Sequence, residues 1–419
     1  MMIDASLTVD PSEMKRLVDT LGIIGEQPGG GIIRHVYDAA WVAARQKLAD
    51  WMRAAGLAVR EDAVGNLFGR IEGDSPRTIL TGSHIDTVQL GGRYDGALGV
   101  LSALAALRVL QANAGKPRRS LEMVALCEEE DSRFHCNFWG TRAMLGLISE
   151  SEMNELRDAQ GVSIGQAMRE RGFPPEKYAD AIRSDLDAFV ELHIEQGRIL
   201  FDEGLPLGIV DTITGLYRFR VTVEGRTDHA GTTPMDLRRD ALQAAAHIAR
   251  EMTEIVERAG RSAVITNGWW EVLPGAWNIV PGLVHFSADL RHPDEALKQR
   301  LAAAVRERGE QIAAERGVSV AYSVVGDVPP KDMDPGVKAH LQAAAEGCGV
   351  QWIPMVSGAG HDSQVMATGV PTAMLFVPSF EGRSHSAAEY TTPEDAARGA
   401  TVLATALHRM AYEKLEIRN

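Results

Sequence analysis

One short stretch of the chain carries three side chains able to bind a metal ion. It reads TGSHIDTVQLGGRYDG over residues 81–96, and it places His84, Asp86 and Asp95 directly after an apolar run. Imidazole and carboxylate groups are ligands that zinc, manganese, cobalt and nickel accept. A single histidine or aspartate is more often structural than functional, so the interpretation depends on whether the pattern recurs.

The pattern recurs three times downstream, each time behind a strand-like apolar run. Glutamates 128–130 follow residues 121–126, His193 lies in the run from 189, and His385 follows residues 373–377. In open α/β sheets, ligands bind beyond the carboxyl ends of the strands. We therefore predict that the four segments meet in a metal site, with two ions sharing an aspartate.

Each of these residues also has a structural explanation. Asp95 precedes Gly96 and is compatible with a plain turn, and an acidic run is usually a solvated face. The glutamate run, however, directly continues a buried strand. Asp86 lies two residues after His84, on the same face of extended chain, so we expect its carboxylate to orient the His84 ring.

Composition excludes several classes of protein. The 419 residues carry a net charge of −14, which disfavours nucleic acid or an anionic membrane as the main partner. Hydrophobic content of 45% and charged content of 24% are ordinary for a globular protein. Three cysteines without a CxxC pair argue against a disulfide framework, so we expect a reducing, cytoplasmic location. The N-terminal residues lack the apolar core of a signal peptide, and no run approaches the roughly 20 apolar residues of a membrane span.

The order of helices and strands predicts an α/β core with a largely parallel sheet. Helices are expected near 11–21, 36–55, 96–111 and 393–414. Near residue 213 the pattern changes to strands with two-residue alternation and a long helix at 237–257, as in a small α+β domain. Ligand candidates flank this region on both sides. We therefore predict a metal-binding catalytic domain of residues 1–212 and 329–419, with residues 213–328 inserted.

Three further candidates come from loops and strand ends. Arg291 ends an apolar run and can bind a carboxylate in bidentate fashion, although on sequence alone a surface salt bridge is the commoner explanation. His229 lies in a Gly- and Thr-rich loop and can donate to a developing oxyanion; a loop histidine near a helix start is the alternative. Gly360 lies in a small-residue loop that can bring backbone N–H groups close to a ligand. The chain has neither a Walker lysine nor a GxSxG elbow, so serine hydrolase chemistry has little support.

Eight segments between residues 81 and 390 carry a family resemblance in family order: TGSHIDTV, GGRYDGALGV, EEEDSRF, ELHIEQG, DHAGTTPM, PGAWNIVPG, SGAGHD and SHSAAEY. With them the chain resembles the amidase/carbamoylase branch of the dinuclear metallopeptidase superfamily. That branch includes N-carbamoyl-L-amino acid hydrolases, β-ureidopropionases and allantoate amidohydrolases. The resemblance implies a hydrolase of non-peptide C–N bonds with two divalent metal ions, zinc or else manganese, cobalt or nickel. It also implies that the inserted domain is a lid and a dimerisation domain.

The resemblance implies a role for each motif residue. Asp95 bridges the two ions, His84 and His193 bind one of them, and Glu130 and His385 bind the other. Glu129 is the general base, and Asp86 is also predicted to be a catalytic residue. Because Asp131 replaces the family's usual glycine, the register of the two glutamates stays open by one position. A cis peptide bond is also implied between Asp95 and Gly96.

Substrate contacts are implied for five positions: Gln196, His229, Asn278, Arg291 and Gly360. His229 is expected to reach the site from the partner subunit of a homodimer and to stabilise the oxyanion. The expected reaction cleaves an N-carbamoyl-L-amino acid into amino acid, carbon dioxide and ammonia. An allantoate amidohydrolase is the nearest alternative, because residues 138–140 (FWG) resemble some of those enzymes. An aminoacylase or peptidase and a non-catalytic binding protein are the alternatives from other classes.

Overall fold

The protein divides into two compact units. A computed structural model describes residues 7–413. The first unit runs from the described start of the chain to Asp211, and continues with Met333–Met355 and from Gly360 onward. The second unit comprises Thr212–Asp332 and Val356–Ala359. The predicted insertion, 213–328, thus lies inside the second unit, whereas 356–359 had been expected in the catalytic domain. What the two units do stays a prediction.

The first unit is built on a mixed sheet whose centre is parallel. The strands are β1 Ala58–Glu61, β2 Leu67–Ile71, β3 Ser75–His84, β4 Arg119–Leu126, β5 Leu186–Ile194, β6 Gly208–Ile213, β15 Ile353–Ser357 and β16 Thr372–Val377. They run in the order β1-β2-β4-β3-β5-β16-β6, with β15 paired to β6. The pairs β4–β3, β3–β5 and β5–β16 are parallel, and the outer pairs are antiparallel. The α/β fold with a mainly parallel sheet is therefore confirmed.

One helix of the first unit is almost entirely buried. α3, Ala97–Asn113, is rich in Ala and Leu on every face, and such a helix belongs inside a core. It packs against β3, β5 and α12, which spans Pro393–Tyr412. At Gly99 the helix comes so close to the carbonyl oxygen of Leu192 in β5 that a Cβ there would collide with it. The other helices of this unit are α1 Pro11–Gly22, α2 Ala39–Ala54, α4 Trp139–Met144, α5 Glu152–Glu155, α6 Ile164–Glu170, α7 Ile199–Glu203, α10 Pro335–Gly347, α11 Asp362–Met366 and α12 Pro393–Tyr412.

Helix starts differ from the expected positions where an aspartate caps the helix. The helix expected from residue 36 begins at Ala39, because the Asp38 side chain accepts a hydrogen bond from the Trp41 N–H at 2.6 Å. Similarly, the helix expected from residue 237 begins after the cap Asp240. The expected end of the last helix at Lys414 lies outside the described residues.

The second unit is an antiparallel sheet packed against two helices. Its elements are β7 Gly215–Glu224, β8 Asp228–His229, α8 Ala241–Glu257, β9 Val264–Thr266, β10 Trp270–Leu273, β11 Ile279–Val280, β12 Leu283–His292, α9 Glu295–Arg316, β13 Ser319–Val328 and β14 Lys331–Asp332. Four strands run in the order β10-β12-β7-β13, β9 pairs with β12, and β8 and β11 form a separate pair. Alternate residues of β7 are buried, as its sequence alternation predicts.

Among residues 7–413, no helix is both long enough and apolar enough to cross a lipid bilayer.

Candidate metal centre

The four parallel strands of the first unit bring the predicted segments to one edge of the sheet. β3 ends at His84, and His193 is the penultimate residue of β5. The glutamate run and the His385 loop follow the ends of β4 and β16. Side chains from these segments form groups of three whose ligand-capable atoms lie within 4.8 Å of one another. The grouped residues of this cluster are His84, Asp95, Glu129, Glu130, His193 and His385.

Asp95 lies at the centre of this cluster. Its Oδ1 is 3.2 Å from His193 Nε2 and 3.8 Å from His84 Nε2. Its Oδ2 is 3.2 Å from His385 Nε2, and that nitrogen is 3.6 Å from Glu130 Oε2. The two oxygens of one carboxylate therefore face two different sets of nitrogen and oxygen atoms.

Two of the histidines are oriented by the main chain. His84 Nδ1 lies 3.0 Å from the Asp86 carbonyl oxygen, and His193 Nδ1 lies 2.9 Å from the Ile194 carbonyl oxygen. A ring that donates from Nδ1 presents the lone pair of Nε2, which is the arrangement of most metal-binding histidines. Both rings are buried, so their orientations are fixed. His193 Nε2 also accepts the Gly96 N–H at 3.1 Å.

The Asp86 carboxylate does not orient the His84 ring as expected. Its Oδ1 is 3.9 Å from His84 Nδ1, and the main-chain carbonyl of the same residue takes that contact instead. The other carboxylate oxygen, Oδ2, accepts the backbone N–H groups of Glu129 at 2.9 Å and Glu130 at 3.1 Å. Two backbone donors satisfy a carboxylate better than one shared ring proton. Asp86 thus fixes the segment that carries the glutamates.

The three glutamates of the run have different environments. Glu128 is turned away from the histidines, and its carboxylate accepts the backbone N–H groups of Arg133 at 2.9 Å and Phe134 at 3.0 Å. Glu129 Oε2 lies 3.7 Å from His84 Nε2. This geometry supports the register in which the second and third glutamates of the run serve the site.

Electrostatics within the cluster suit a bound cation. Burial raises the pKa of both Glu129 and Glu130, and neighbouring carboxylates raise it further. Burial also opposes ionisation of Asp95, but hydrogen bonds from His193 and His385 hold its pKa well below the usual value. One oxygen of Glu130, Oε1, is buried without a hydrogen-bond partner among the described residues. Crowded carboxylates and an unpartnered oxygen beside imidazole nitrogens fit divalent cations.

Backbone strain occurs at three positions in the segments that form the cluster. Glu128, Gln196 and His385 are non-glycine residues with positive φ, at 50°, 58° and 53°. Such conformations cost free energy and are found mostly at functional sites.

The predicted cis peptide between Asp95 and Gly96 is wrong. Among residues 7–413, the cis bond falls at Leu273–Pro274. The turn after Asp95 is made instead by Gly96, whose φ of 59° favours glycine. A Cβ at this position would collide with the His84 ring, so the turn also needs glycine for space.

Gln196, predicted to bind substrate, contacts Asp95 through its amide nitrogen. Its Nε2 donates to Asp95 Oδ2 at 2.8 Å and lies 3.3 Å from Ser384 Oγ. The Ser384 hydroxyl donates to the same Asp95 oxygen at 2.8 Å. Gln196 Oε1 is buried and has no hydrogen-bond partner within the described part of the chain, so this oxygen is still available to a substrate.

Sequence reasoning missed several polar residues around the cluster. Glu389 accepts from the backbone of Asp95, and the ring of buried His361 packs 4.5 Å from that of His193. Glu191 is buried next to them and accepts from Ser83 at 2.7 Å. Glu389 lies in the SHSAAEY segment and His361 in SGAGHD, so polar residues inside the motifs were the available signal.

The remaining candidates belong to the second unit, except Gly360, which resumes the first unit two residues before α11. His229 and Asn278 lie close together, since the Ala230 N–H donates to the Asn278 carbonyl oxygen at 2.9 Å. His229 Nδ1 accepts from the N–H groups of Gly231 at 3.1 Å and Thr232 at 3.2 Å. The proton of the neutral ring must then lie on Nε2, which leaves that nitrogen as a donor.

Arg291 is held firmly within the second unit. Its Nε and Nη2 donate to the two oxygens of Asp289, both at 3.0 Å, and its Nη1 donates to the Gly358 carbonyl oxygen at 2.7 Å. Arg218 also donates to Asp289, at 2.8 Å. These residues line a cavity of about 670 Å³ whose wall also includes Arg220 and Trp269. Three arginines against one aspartate make this cavity suitable for an anion.

Comparison with known proteins assigns the class of this fold and site. The profile of Peptidase family M20/M25/M40 matches residues 80–409, so the chain belongs to this family. The family is metal-dependent. Its members that are similar to this chain are hydrolases, so the protein is a hydrolase as well.

Particular relatives are similar over nearly the whole chain. An allantoate amidohydrolase of Bacillus subtilis is 41% identical, covering 94% of this chain and 96% of its own. An N-carbamoyl-L-amino acid amidohydrolase of Geobacillus stearothermophilus is 40% identical, and the match covers 93% of this chain and 95% of that enzyme. The crystal structure of a hydantoinase/carbamoylase family amidase from Burkholderia multivorans superposes with a TM-score of 0.91 at 34% identity, covering 98% and 100%. The expected family is therefore confirmed, and within it the similar proteins are amidohydrolases.

Proposed function

We propose that this protein hydrolyses the ureido C–N bond of an N-carbamoyl-L-amino acid, giving the amino acid, carbon dioxide and ammonia. The observation that carries the proposal is the position of Asp95, whose two oxygens face two separate sets of imidazole and carboxylate groups. The substrate class is supported by the similar amidohydrolases, whose named substrates, allantoate and N-carbamoyl-L-amino acids, all contain a ureido group.

Two divalent cations fit the donor set. His84, His193 and Asp95 Oδ1 would hold one, and His385, Glu130 and Asp95 Oδ2 would hold the other. Zinc, manganese, cobalt and nickel all accept mixed imidazole and carboxylate ligands. When bound, such ions lower the pKa of a water molecule and polarise the carbonyl group that the water attacks.

Glu129 is the proposed general base and acid. Its backbone N–H is fixed by Asp86, and its carboxylate lies at the cluster, 3.7 Å from His84. Burial and the charge of Glu130 raise its pKa. A raised pKa suits a group that takes a proton from water and returns it to the leaving nitrogen near neutral pH.

The second unit is proposed to recognise the substrate. His229 would donate Nε2–H to the tetrahedral oxyanion, consistent with the two N–H groups that occupy its Nδ1. Arg291 and Asn278 would bind the substrate carboxylate, with Gln196 and Gly360 completing the contacts. We further propose that this unit acts as a lid and as the interface of a homodimer, so that His229 acts on the partner subunit's substrate.

A cytoplasmic location is part of the proposal. It is supported by the three cysteines, which are all free thiols in the structure: Cys127, Cys136 and Cys348. Free thiols are typical of reducing compartments.

An allantoate amidohydrolase is the second candidate. It is favoured by the similar enzyme from Bacillus subtilis and by the arginine-rich cavity beside Arg291. Allantoate carries a second ureido group, and polar walls suit it better than they suit an aliphatic amino acid side chain. An aminoacylase or peptidase is the candidate from another class.

The substrate is tested by measuring ammonia and amino acid release from a panel. The panel comprises N-carbamoyl-L-amino acids, their D-isomers, allantoate, ureidoglycolate, and N-acetyl and dipeptide substrates, with Glu129→Gln as the inactive control. We expect equal amounts of ammonia and amino acid from the L-isomers. Ammonia from allantoate alone would replace the proposal with the second candidate. Amino acid without ammonia, from acyl or peptidyl substrates, would establish the peptidase class.

The trans role of His229 is tested by mixing two inactive variants. Glu129→Gln and His229→Ala are co-expressed with different tags. If each site draws His229 from the partner subunit, a mixed dimer has one complete site, and random pairing restores about a quarter of wild-type activity. Restoration would not occur if both residues act within one chain.

A further inference from the structure

A buried glutamate that has no place in the proposed chemistry ties two loops of the cluster together. Glu389 follows His385 by four residues, in the loop between β16 and α12, and its side chain is 5% exposed. Its Oε2 accepts the backbone N–H groups of Tyr94 at 2.7 Å and Asp95 at 3.0 Å. One carboxylate oxygen therefore holds the peptide from which the central aspartate projects.

The other oxygen of Glu389 engages the loop that carries His385. Its Oε1 lies 3.2 Å from the hydroxyl of Ser384. The same hydroxyl lies closer, at 2.8 Å, to Asp95 Oδ2. A serine has one proton to donate, so the two carboxylates share it across the gap between the loops. Asp95 is thus held at its backbone by Glu389 and at its side chain by Ser384.

The turn before Asp95 packs closely against the Glu389 carboxylate. A Cβ at Gly92 would collide with the Glu389 carboxylate, so the turn before Asp95 closes directly over it. Placing this carboxylate beside Asp95 brings two like charges together in a buried place, which is unfavourable without compensation. Two charge-assisted bonds from backbone N–H groups supply part of that compensation.

We propose that Glu389 is a positioning residue for the shared aspartate. By fixing the Tyr94–Asp95 backbone, it sets the rotation in which Asp95 Oδ1 faces His84 and His193 while Oδ2 faces His385. Without it, the loop could still fold, but the carboxylate would not divide its oxygens between the two sets. This inference rests on the proposed two-metal site and assigns to this chain a determinant of metal affinity outside the direct ligands.

The test measures metal binding directly. Apo protein is titrated with Co²⁺ against a chromogenic chelator, and the visible absorption spectrum of the bound ions is recorded for wild type, Glu389→Gln and Glu389→Ala. Removing a partner that orients a ligand typically weakens metal affinity about 10- to 100-fold, and we expect this for Glu389→Ala. Glu389→Gln keeps an oxygen for both N–H groups and should lose only about three- to tenfold, because its bonds are no longer charge-assisted.

Two further readouts separate positioning from general stability. The Co²⁺ spectrum should change in Glu389→Ala, and kcat should fall while KM changes less than about twofold, since the substrate-binding residues are untouched. Asp158→Asn is the matched control, because Asp158 is another buried carboxylate that accepts two backbone N–H groups, those of Gln160 and Val162. This control should leave affinity and spectrum at wild-type values.

The outcomes are distinguishable. Wild-type affinity and spectrum in both Glu389 variants would overturn the positioning role while leaving the two-metal site intact. If Glu389→Ala does not fold, the Gln variant decides: affinity and spectrum identical to wild type refute the proposal, and a several-fold loss with an altered spectrum supports it. A wild-type protein that binds fewer than two ions would instead contradict the proposed function.

Discussion

The two halves of the candidate metal centre differ in their access to solvent. In one half, the side chains of His84 and His193 are 2% and 1% exposed, and main-chain carbonyls hold both rings. In the other half, His385 is 51% exposed and adopts a positive φ. Asp95 contributes one oxygen to each half. From this contrast we expect, for the proposed two-metal site, a rigid half that would retain its ion and an open half through which ion and substrate would be exchanged.

The largest effect is expected when the residue common to both halves is changed. In Asp95→Asn, the amide cannot bridge two cations, and losing several kcal/mol of charge stabilisation lowers kcat by about 1,000-fold or more. Bound metal, measured by mass spectrometry after desalting, should fall in both halves. A variant that retains both ions and more than a tenth of the activity would contradict the shared role of Asp95.

Glu129→Gln should separate chemistry from metal binding. We expect both ions to remain, because the ligand sets of the two halves exclude Glu129, while kcat falls about 100- to 1,000-fold through loss of proton transfer. Metal content and steady-state kinetics are measured on the same sample. Full activity with full metal occupancy would exclude Glu129 as the base.

Metal release should distinguish the halves in wild-type protein. With excess chelator, we expect two kinetic phases, the faster one from the His385 half, separated by about 10- to 100-fold in rate. His385→Ala should abolish the fast phase and leave the slow one. A single phase in wild type would show that exposure does not govern exchange.

Metal affinity should depend on pH through protons held by the metal-free cluster. Burial opposes protonation of His193, but its hydrogen bond to Asp95 raises its pKa to about 9. Burial and nearby carboxylates also raise the pKa of Glu129 and Glu130. Each raised pKa keeps a proton bound to the metal-free cluster, and a metal cation must displace that proton. Metal affinity should therefore rise about tenfold per pH unit for each proton released, up to about pH 9. Calorimetry at pH 7.5 in buffers of different ionisation enthalpy should detect proton release; its absence would contradict the shifts.

The rigid half is also the half that sequence reasoning describes best. His84 and His193 lie at the ends of continuous apolar strands, and parallel strands must bring their carboxyl ends to one edge. The fold class follows from the same pattern. Loop geometry has no comparable periodicity. For this reason two expectations about loops were wrong. The Asp86 carboxylate bonds the glutamate backbone rather than the His84 ring, and the Asp95–Gly96 peptide is not cis.

Residues that position other side chains were the hardest to predict from the sequence. Glu389 and Ser384 matter because distant segments fold against them, with the Glu389 bond to Asp95 spanning 294 positions. The two partners of Arg291 show the same difference. Asp289 lies two residues away on the same strand face, as strand alternation predicts, and accepts from the guanidinium. The Gly358 carbonyl oxygen accepts from the same guanidinium but belongs to a separate loop. Tertiary contacts of this kind leave no spacing rule in the sequence.

The central claim, that Asp95 joins a rigid and an open half into one two-ion centre, is tested most directly by metal stoichiometry. Apo protein is titrated calorimetrically with Zn²⁺, in wild type and in His385→Ala. We expect two ions per chain in wild type and one in His385→Ala, the remaining ion being held by His84, His193 and Asp95. A single ion per chain in wild type, or two ions of unchanged affinity in His385→Ala, would contradict it.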